Sequence, residues 1–238
     1  MRAIIASPTK ARCNGPQDAE AYLCRMRINP KLFIGLGLLL VLGYFVQDLV
    51  LGDNQYAAGV NKARKEKNDS FRRATDSPLS AEQRNEFDSL RYFAPDKAYR
   101  VNAQIEQFAT PETVQIPLTD GKADTYLRWG RASFKLADTP QQLVLLLRPN
   151  EKDGKLFVAF ADKTNGFTTY GGGRYLDVAL PAEGEDELTL DFNQAYNPFC
   201  AYGTAFACPV PPQENRLTVE VRAGEMAFPE TDHTGHNH

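Results

Sequence analysis
Two hydrophobic periods divide the chain. From Tyr99 onward, apolar residues recur at every second position. YRVNAQIEQF sets Tyr99, Val101, Ala103 and Ile105 on one face and polar residues on the other, the pattern of a half-buried strand. TVQIPL, TYLRWGRASFKL, QQLVLLLR, KLFVAF, RYLDVAL, ELTLDF and RLTVEVRA extend the series. TDGK, ADTP, PNEKDGK, DKTNG and PAEGED lie between several of them and supply turn residues. LVLLL and LFVAF are unbroken apolar runs, which predicts central strands covered on both faces. Many short strands at this spacing predict a mainly β domain over residues 96–226, an antiparallel β-sandwich or barrel.

Before residue 96 the pattern is helical. LFIGLGLLLVLGYFVQDLVL runs from Leu32 to Leu51, and its uninterrupted part, Leu32 to Val46, is 15 residues long. A full span takes about 20 apolar residues, which is reached by including Leu49 to Leu51. No small-residue cleavage pattern closes the run, so it is read as an uncleaved transmembrane signal anchor over residues 32–51. Residues 52–95 are expected to form a helical stalk and a capping helix. DNQYAAGVNKARKEKNDSFRRA mixes alanine with both charge signs, the mark of a solvated helix. SPLSAEQRNEFDSL holds Ser80 and Gln83 at capping-box spacing, followed by the apolar pair Phe87 and Leu90. Residues 227–238 are polar and are read as a disordered tail.

Charge gives the anchor a direction. The 238 residues carry a formal net charge of −3, unevenly distributed. Residues 1–31 hold six Lys/Arg against two Asp/Glu; residues 52–238 hold 21 against 27. Nothing global favours nucleic acid. Arg25, Arg27 and Lys31 stand just ahead of the apolar run, and positive residues remain cytoplasmic. Lys62, Arg64, Lys65 and Lys67 lie further off on the other side. The basic N-terminus is therefore expected inside and the body outside the membrane, in the periplasm. Met26 opens a compact start, MRINPKLF, and residues 1–25 are read as an extension ahead of it.

The sequence narrows the chemistry. Its three histidines, His233, His236 and His238, all lie in the last six residues, so the body lacks the commonest general base near neutral pH. Neither a phosphate-binding P-loop nor a dinucleotide fingerprint is present, and no cofactor or metal is implied. YGGGRY, Tyr170 to Tyr175, suits a tight turn feeding a strand, or a backbone surface close to a ligand. Asp162, Asp191 and Glu214 are candidates for paired-carboxylate catalysis, and Arg174 for an anion contact.

Cys200 and Cys208 flank AYGTAFA. On the exported side of a membrane they are candidates for a disulfide, worth about 2.5 kcal/mol by the chain-entropy model. A redox or thiolate-metal pair and a ligand pocket built on the same loop remain alternatives. Pro209, Pro211 and Pro212 hold the exit extended, and Asn193, Asn197 and Asn215 can satisfy loop backbone. Cys13 and Cys24 precede the apolar run and are expected to be reduced.

DFNQAYNPFCAYGTAFACPVPPQENRLTVEVRAGE resembles the C-terminal signature of the domain-of-unknown-function 1684 family. SPLS, YFAPDKAYRV and YGGGRYLDV resemble its other motifs, in the same order, so the resemblance covers residues 55–226. It implies an uncharacterised bacterial and archaeal domain without an assigned activity. It also implies that Arg174, Asp191, Asn193, Tyr196, Asn197, Cys200, Cys208, Glu214, Asn215 and Glu225 recur as one constellation.

The expectation is a membrane-anchored extracytoplasmic β domain that binds a small molecule or a partner protein. Arg174, Asp191, Asn193, Tyr196, Asn197, Glu214 and Asn215 are its candidate ligand-binding residues. The alternatives are a hydrolase with Asp191 or Glu214 as base and Arg174 or Tyr196 stabilising charge, and an accessory subunit of a membrane complex.

Overall fold
The computed structural model describes residues 30–149 and 154–229, apart from the side chains of residues 30–33, 45–46 and 48–51. The expectations for residues 1–25, for Cys13 and Cys24, for the three histidines and for the middle of the PNEKDGK turn lie outside the described residues. The chain divides into two units, residues 1–51 and 52–238.

In the first unit the apolar run is helical and begins α1 (Pro30–Arg73). Ile34, Leu36, Leu38 to Leu42 and Tyr44 are each more than half exposed. The transmembrane helix expected over residues 32–51 is not found: among the described residues no helix is long and apolar enough to cross a membrane.

The second unit is built on one six-stranded antiparallel sheet. Its strands are β1 (Arg100–Pro117), β2 (Ala123–Leu136), β3 (Thr139–Leu147), β4 (Lys155–Phe160), β5 (Arg174–Ala179) and β6 (Glu187–Asp191), in the order β5-β4-β3-β2-β1-β6. The segment after β6 turns back and pairs Tyr196 with Tyr175 of β5, so the two ends of the sheet are bridged and it approaches a barrel. The alternative of two stacked sheets is thereby corrected.

The central strands behave as their apolar runs predict. Leu143 and Leu145 of β3, with Leu156, Val158 and Phe160 of β4, enter the main core beside Trp129, Leu190, Phe192 and Val221. Val144, Leu146, Phe157 and Ala159 point the other way, into a second cluster with Tyr126, Tyr175 and Cys208. Alternation of side chains along a strand explains the division. Each fully buried Leu or Phe contributes up to about 1.5–3 kcal/mol relative to its exposed state.

Four sequence expectations change. TVQIPL is not a separate strand; it is the second half of β1, joined across an irregularity between Gln107 and Glu112. RLTVEVRA forms no strand, although Leu217, Val221 and Ala223 are buried. Its start is joined to the chain after β4 only by an isolated bridge at Ala161 and by the Lys163 N–H on the Val219 carbonyl, and the Val221 and Ala223 carbonyls are taken by a side chain, as described below. The segment read as a solvated stalk packs on the β domain. Val60 and Phe71 are buried, and Phe71 joins Leu79, Leu90, Tyr202 and Phe228 in a third cluster. Burial of Phe228 also places the beginning of the expected tail in the fold.

The capping box forms: the Gln83 N–H donates to Ser80 Oγ at 3.1 Å, and the Ser80 N–H to Gln83 Oε1 at 2.8 Å. It starts α2 (Ala81–Glu86), which ends at Phe87.

Candidate functional site
A cleft of about 250 Å³ opens between the loop before β5, the loop after β1 and the segment 210–216. Asp162, Asn165, Tyr170, Gly171 and Gly172 form one side; Thr119, Val210, Pro211 and Arg216 face them. Glycine shapes its wall. A Cβ on Gly172 would stand 2.6 Å from the Tyr170 ring, and one on Gly173, at φ +90°, would lie 2.6 Å from Pro211 and 2.7 Å from the Phe160 carbonyl oxygen. Gly173 therefore permits both the left-handed turn and the close approach of Pro211. Asn165 fixes the loop, donating to the Tyr170 carbonyl at 2.7 Å and accepting from the Asp162 N–H.

The polar groups of this cleft differ in availability. Both Asp162 oxygens are engaged: Oδ1 accepts from Thr164 and from the Val221 N–H, and Oδ2 from Arg174. Arg216 is exposed and has no carboxylate partner among the described residues. The cleft thus offers a guanidinium fork and glycine backbone, but no free carboxylate of Asp162, and the Thr119 and Tyr170 hydroxyls are engaged with the cysteine pair.

The expected ligand-binding residues do not converge here. Arg174 is fully buried behind the cleft. It pairs with Asp162 at 2.9 Å and donates to the carbonyls of Val221, Ala223 and Glu225, its Cζ 5.4 Å from the Phe160 ring centre. Burial pulls its pKa down, and Asp162 acts in the opposite direction. Arg174 therefore clasps the segment read as RLTVEVRA. Asn215 is also fully buried. β3 and β4 pair at Leu146 and Phe157, and the same register would oppose Val144 to Ala159. Asn215 occupies that interval: Oδ1 accepts from the Val144 N–H at 2.7 Å, and Nδ2 donates to the Val144 and Ala159 carbonyls at 3.0 and 2.9 Å. Its amide substitutes for missing ladder bonds. Glu214 is exposed and paired with Arg128 at 2.9 Å.

A second group of expected residues receives α1. Asp191 accepts from the Tyr56 hydroxyl at 2.8 Å, from Asn193 and from Gln194. Asn193 holds Asp96 through both its backbone groups, at 2.9 and 2.7 Å. Arg64 donates to the Phe93 and Asn193 carbonyls. Buried Glu225 accepts from Lys67 at 2.7 Å, from the Asn197 side chain at 3.1 Å and from the Tyr202 hydroxyl. Asn197 Oδ1 has no hydrogen-bond partner among the described residues. Tyr196 donates to Asp177 at 3.0 Å, with the Lys67 ammonium 5.1 Å from its ring centre. Burial, then Asp191, raises the Tyr56 pKa; burial, then Glu225, raises that of Tyr202. Asp191, Asn193 and Tyr196 border grooves beneath α1 and serve as anchors for that helix. Asp162, Asp191 and Glu214 share no hydrogen-bond partner, so the carboxylate pair needed for hydrolysis is not assembled by them.

Cys200 and Cys208 are free thiols in this structure, and the expected disulfide is not formed. The Cys200 N–H donates to Cys208 Sγ at 3.1 Å, and the Tyr170 hydroxyl donates to Cys200 Sγ at 3.6 Å. Cys208 N–H donates to Thr119 Oγ1 at 3.1 Å. The loop is held by hydrogen bonds, turns and the β-bridge between Leu118 and Pro209. Both thiols stand directly behind two lining residues of the cleft.

The model of the family "Protein of unknown function (DUF1684)" matches residues 85–226. The chain belongs to the DUF1684 family. A solution NMR structure of an uncharacterized protein from Haloarcula marismortui is similar, at 38% identity and a TM-score of 0.62, covering 77% of this chain and 100% of that one. No curated protein matches. The DUF1684 span contains the whole sheet, the cleft, the Arg174 clasp and both thiols, whereas Tyr56, Arg64 and Lys67 lie before it.

Sequence reasoning missed Arg216, Thr119 and the anchoring role of Tyr56, Arg64 and Lys67. Nothing in their spacing marks them. Arg216 is one residue beyond the PPQEN motif, and Lys67 sits in a run of charges that reads as solvated.

Proposed function
We propose that this protein is a binding domain for a small anionic molecule, taken in the cleft beside Tyr170–Gly172 and held at a membrane by its N-terminal apolar helix. The carrying observation is Arg216, a guanidinium at a polar cleft without a protein carboxylate to neutralise it. Its planar fork suits a carboxylate or phosphate oxygen pair. The glycine backbone at Gly171 and Gly172 lines the same cleft. The absence of histidine from the body and the separation of Asp162, Asp191 and Glu214 favour binding over acid–base catalysis.

The membrane part rests on the run from Leu32 and on the exposure of Ile34 to Tyr44, an apolar surface whose burial in lipid is favourable. The basic residues Arg25, Arg27 and Lys31 support an extracytoplasmic body.

The test is a thermal-shift and NMR titration of the full chain in detergent with small mono- and dicarboxylates and inorganic phosphate. At least one is expected to raise the melting temperature through preferential binding to the folded state. Arg216→Ala removes that shift while leaving the unliganded melting temperature unchanged, because the exposed side chain has no ion-pair partner among the described residues. A saturable shift that survives Arg216→Ala would place the ligand elsewhere. Resistance of the chain to carbonate extraction tests the anchor separately.

A further inference from the structure
The two thiols behind the cleft are unlike each other. Cys200 is partly exposed on a short 3₁₀ turn (Phe199–Ala201), whereas Cys208 is buried in the second apolar cluster. Each is placed by specific hydrogen bonds: Cys200 sulfur receives the Tyr170 hydroxyl, and Cys208 sulfur receives the Cys200 N–H. Thr119 Oγ1 fixes the Cys208 backbone. A buried thiol kept only for packing needs none of this.

We propose that Cys200 is a peroxide-reactive thiol and Cys208 its resolving partner, forming a reversible two-electron redox site on the loop after β6. The Cys208 thiol lowers the Cys200 pKa, burial opposes it and the Tyr170 hydroxyl adds to the lowering, so the exposed member is the one favoured as thiolate. The hydrogen bond to Cys200 and burial raise that of Cys208, which keeps it protonated until it resolves. This matches the requirement that the attacking sulfur be ionised and reachable.

The chemistry balances with a hydroperoxide as oxidant. The Cys200 sulfur attacks one peroxide oxygen, the O–O bond breaks, and the departing oxygen leaves as water after taking a proton. Cys200 becomes a sulfenic acid. The Cys208 sulfur then attacks the Cys200 sulfur, the S–O bond breaks, and a second water leaves with the Cys208 proton. Two thiols lose two electrons, and hydrogen peroxide becomes two waters. A small dithiol reverses the step by two exchanges, ending as its own disulfide. Arg216 makes no contact with either thiol among the described residues, and Arg216→Ala is expected to leave this site intact.

The experiment uses the reduced full chain with hydrogen peroxide near one equivalent, followed by alkylation, proteolysis and mass spectrometry. A Cys200–Cys208 linked peptide is expected before any product on Cys13 or Cys24, and dithiothreitol removes it. In Cys208→Ser, dimedone labels Cys200; in Cys200→Ser, Cys208 remains unlabelled. Tyr170→Phe slows Cys200 alkylation at neutral pH several-fold. Should a serine variant fail to fold, the wild-type pH profile of iodoacetamide alkylation decides, with a Cys200 midpoint expected below the free-thiol value of about 8.5. A midpoint at or above that value, oxidation of Cys13 and Cys24 ahead of the pair, or a disulfide that dithiothreitol does not reduce in the folded protein overturns the proposal.

Discussion
Arg174 shows how a charged residue comes to sit in the middle of a β domain. Its fork meets Asp162 on one side and three carbonyls of the 221–225 segment on the other, so that segment is held by a side chain where strand pairing stops. Removing one member of a buried pair leaves an uncompensated charge, at a cost of about 3–5 kcal/mol. Arg174→Met is therefore expected to lower the urea midpoint severely, since a whole domain has about 5–15 kcal/mol of stability. Arg174→Lys rescues little, because an ammonium does not reproduce the fork. A wild-type urea midpoint in Arg174→Met would show that the clasp contributes nothing. The sequence exposed Arg174 as a candidate, but as an anion-binding residue. Its ligand proved to be the protein's own backbone, which no local pattern encodes.

At the scale of elements, the β2–β3 hairpin and helix α1 carry the informative details. The two residues joining β2 to β3 are Ala137 and Asp138, at φ 48° and 58°. A two-residue turn with both φ values positive is the type I′ geometry, which favours Asn-Gly. Ala137→Asn with Asp138→Gly is expected to raise stability by about 0.5–1 kcal/mol in urea unfolding; an unchanged or lowered midpoint would mean that the turn is not strained. In α1, Lys67 is the cation for Glu225, which is only 1% exposed. Lys67→Met leaves that carboxylate with neutral donors alone. The expected result is faster hydrogen exchange in residues 56–73 while β3 and β4 stay protected, a local opening and not global unfolding. The segment read as a stalk from its charges is thus an integral part of the fold: the charges of Arg64 and Lys67 face the domain, and a sequence window cannot distinguish them from Lys62, which faces solvent with Glu66.

For the whole molecule, tyrosine couples the clusters. Tyr56, Tyr92, Tyr126, Tyr170, Tyr175, Tyr196 and Tyr202 all have raised pKa values, with burial the largest cause in each. In the unfolded chain a tyrosine ionises near pH 10. Above that pH the unfolded state gives up protons that the folded state retains, so stability falls as pH rises. The contribution is complete below about pH 10 and disappears above it. An alkaline titration should show tyrosinate absorbance appearing late and together with loss of near-ultraviolet circular dichroism. Gradual ionisation of all ten tyrosines in a still-folded chain would contradict this.

Periodicity by itself determined that the body is β, that β3 and β4 are central, and that Ser80 and Gln83 start a helix, because those features depend on neighbours two to four residues apart. The family motifs likewise singled out Arg174, Asp191, Asn193, Asn197, Asn215 and Glu225, all of which are buried. Tertiary structure alone decided what they do. Asn215 repairs a ladder between β3 and β4, Arg174 holds a strandless segment, and Asp191 and Glu225 receive α1 from more than 130 residues away. It also left Arg216 unpaired beside a cleft and brought two thiols together without joining them. The reason is physical: a hydrophobic pattern is written into each segment, whereas the partner of a polar group is fixed only when distant segments meet.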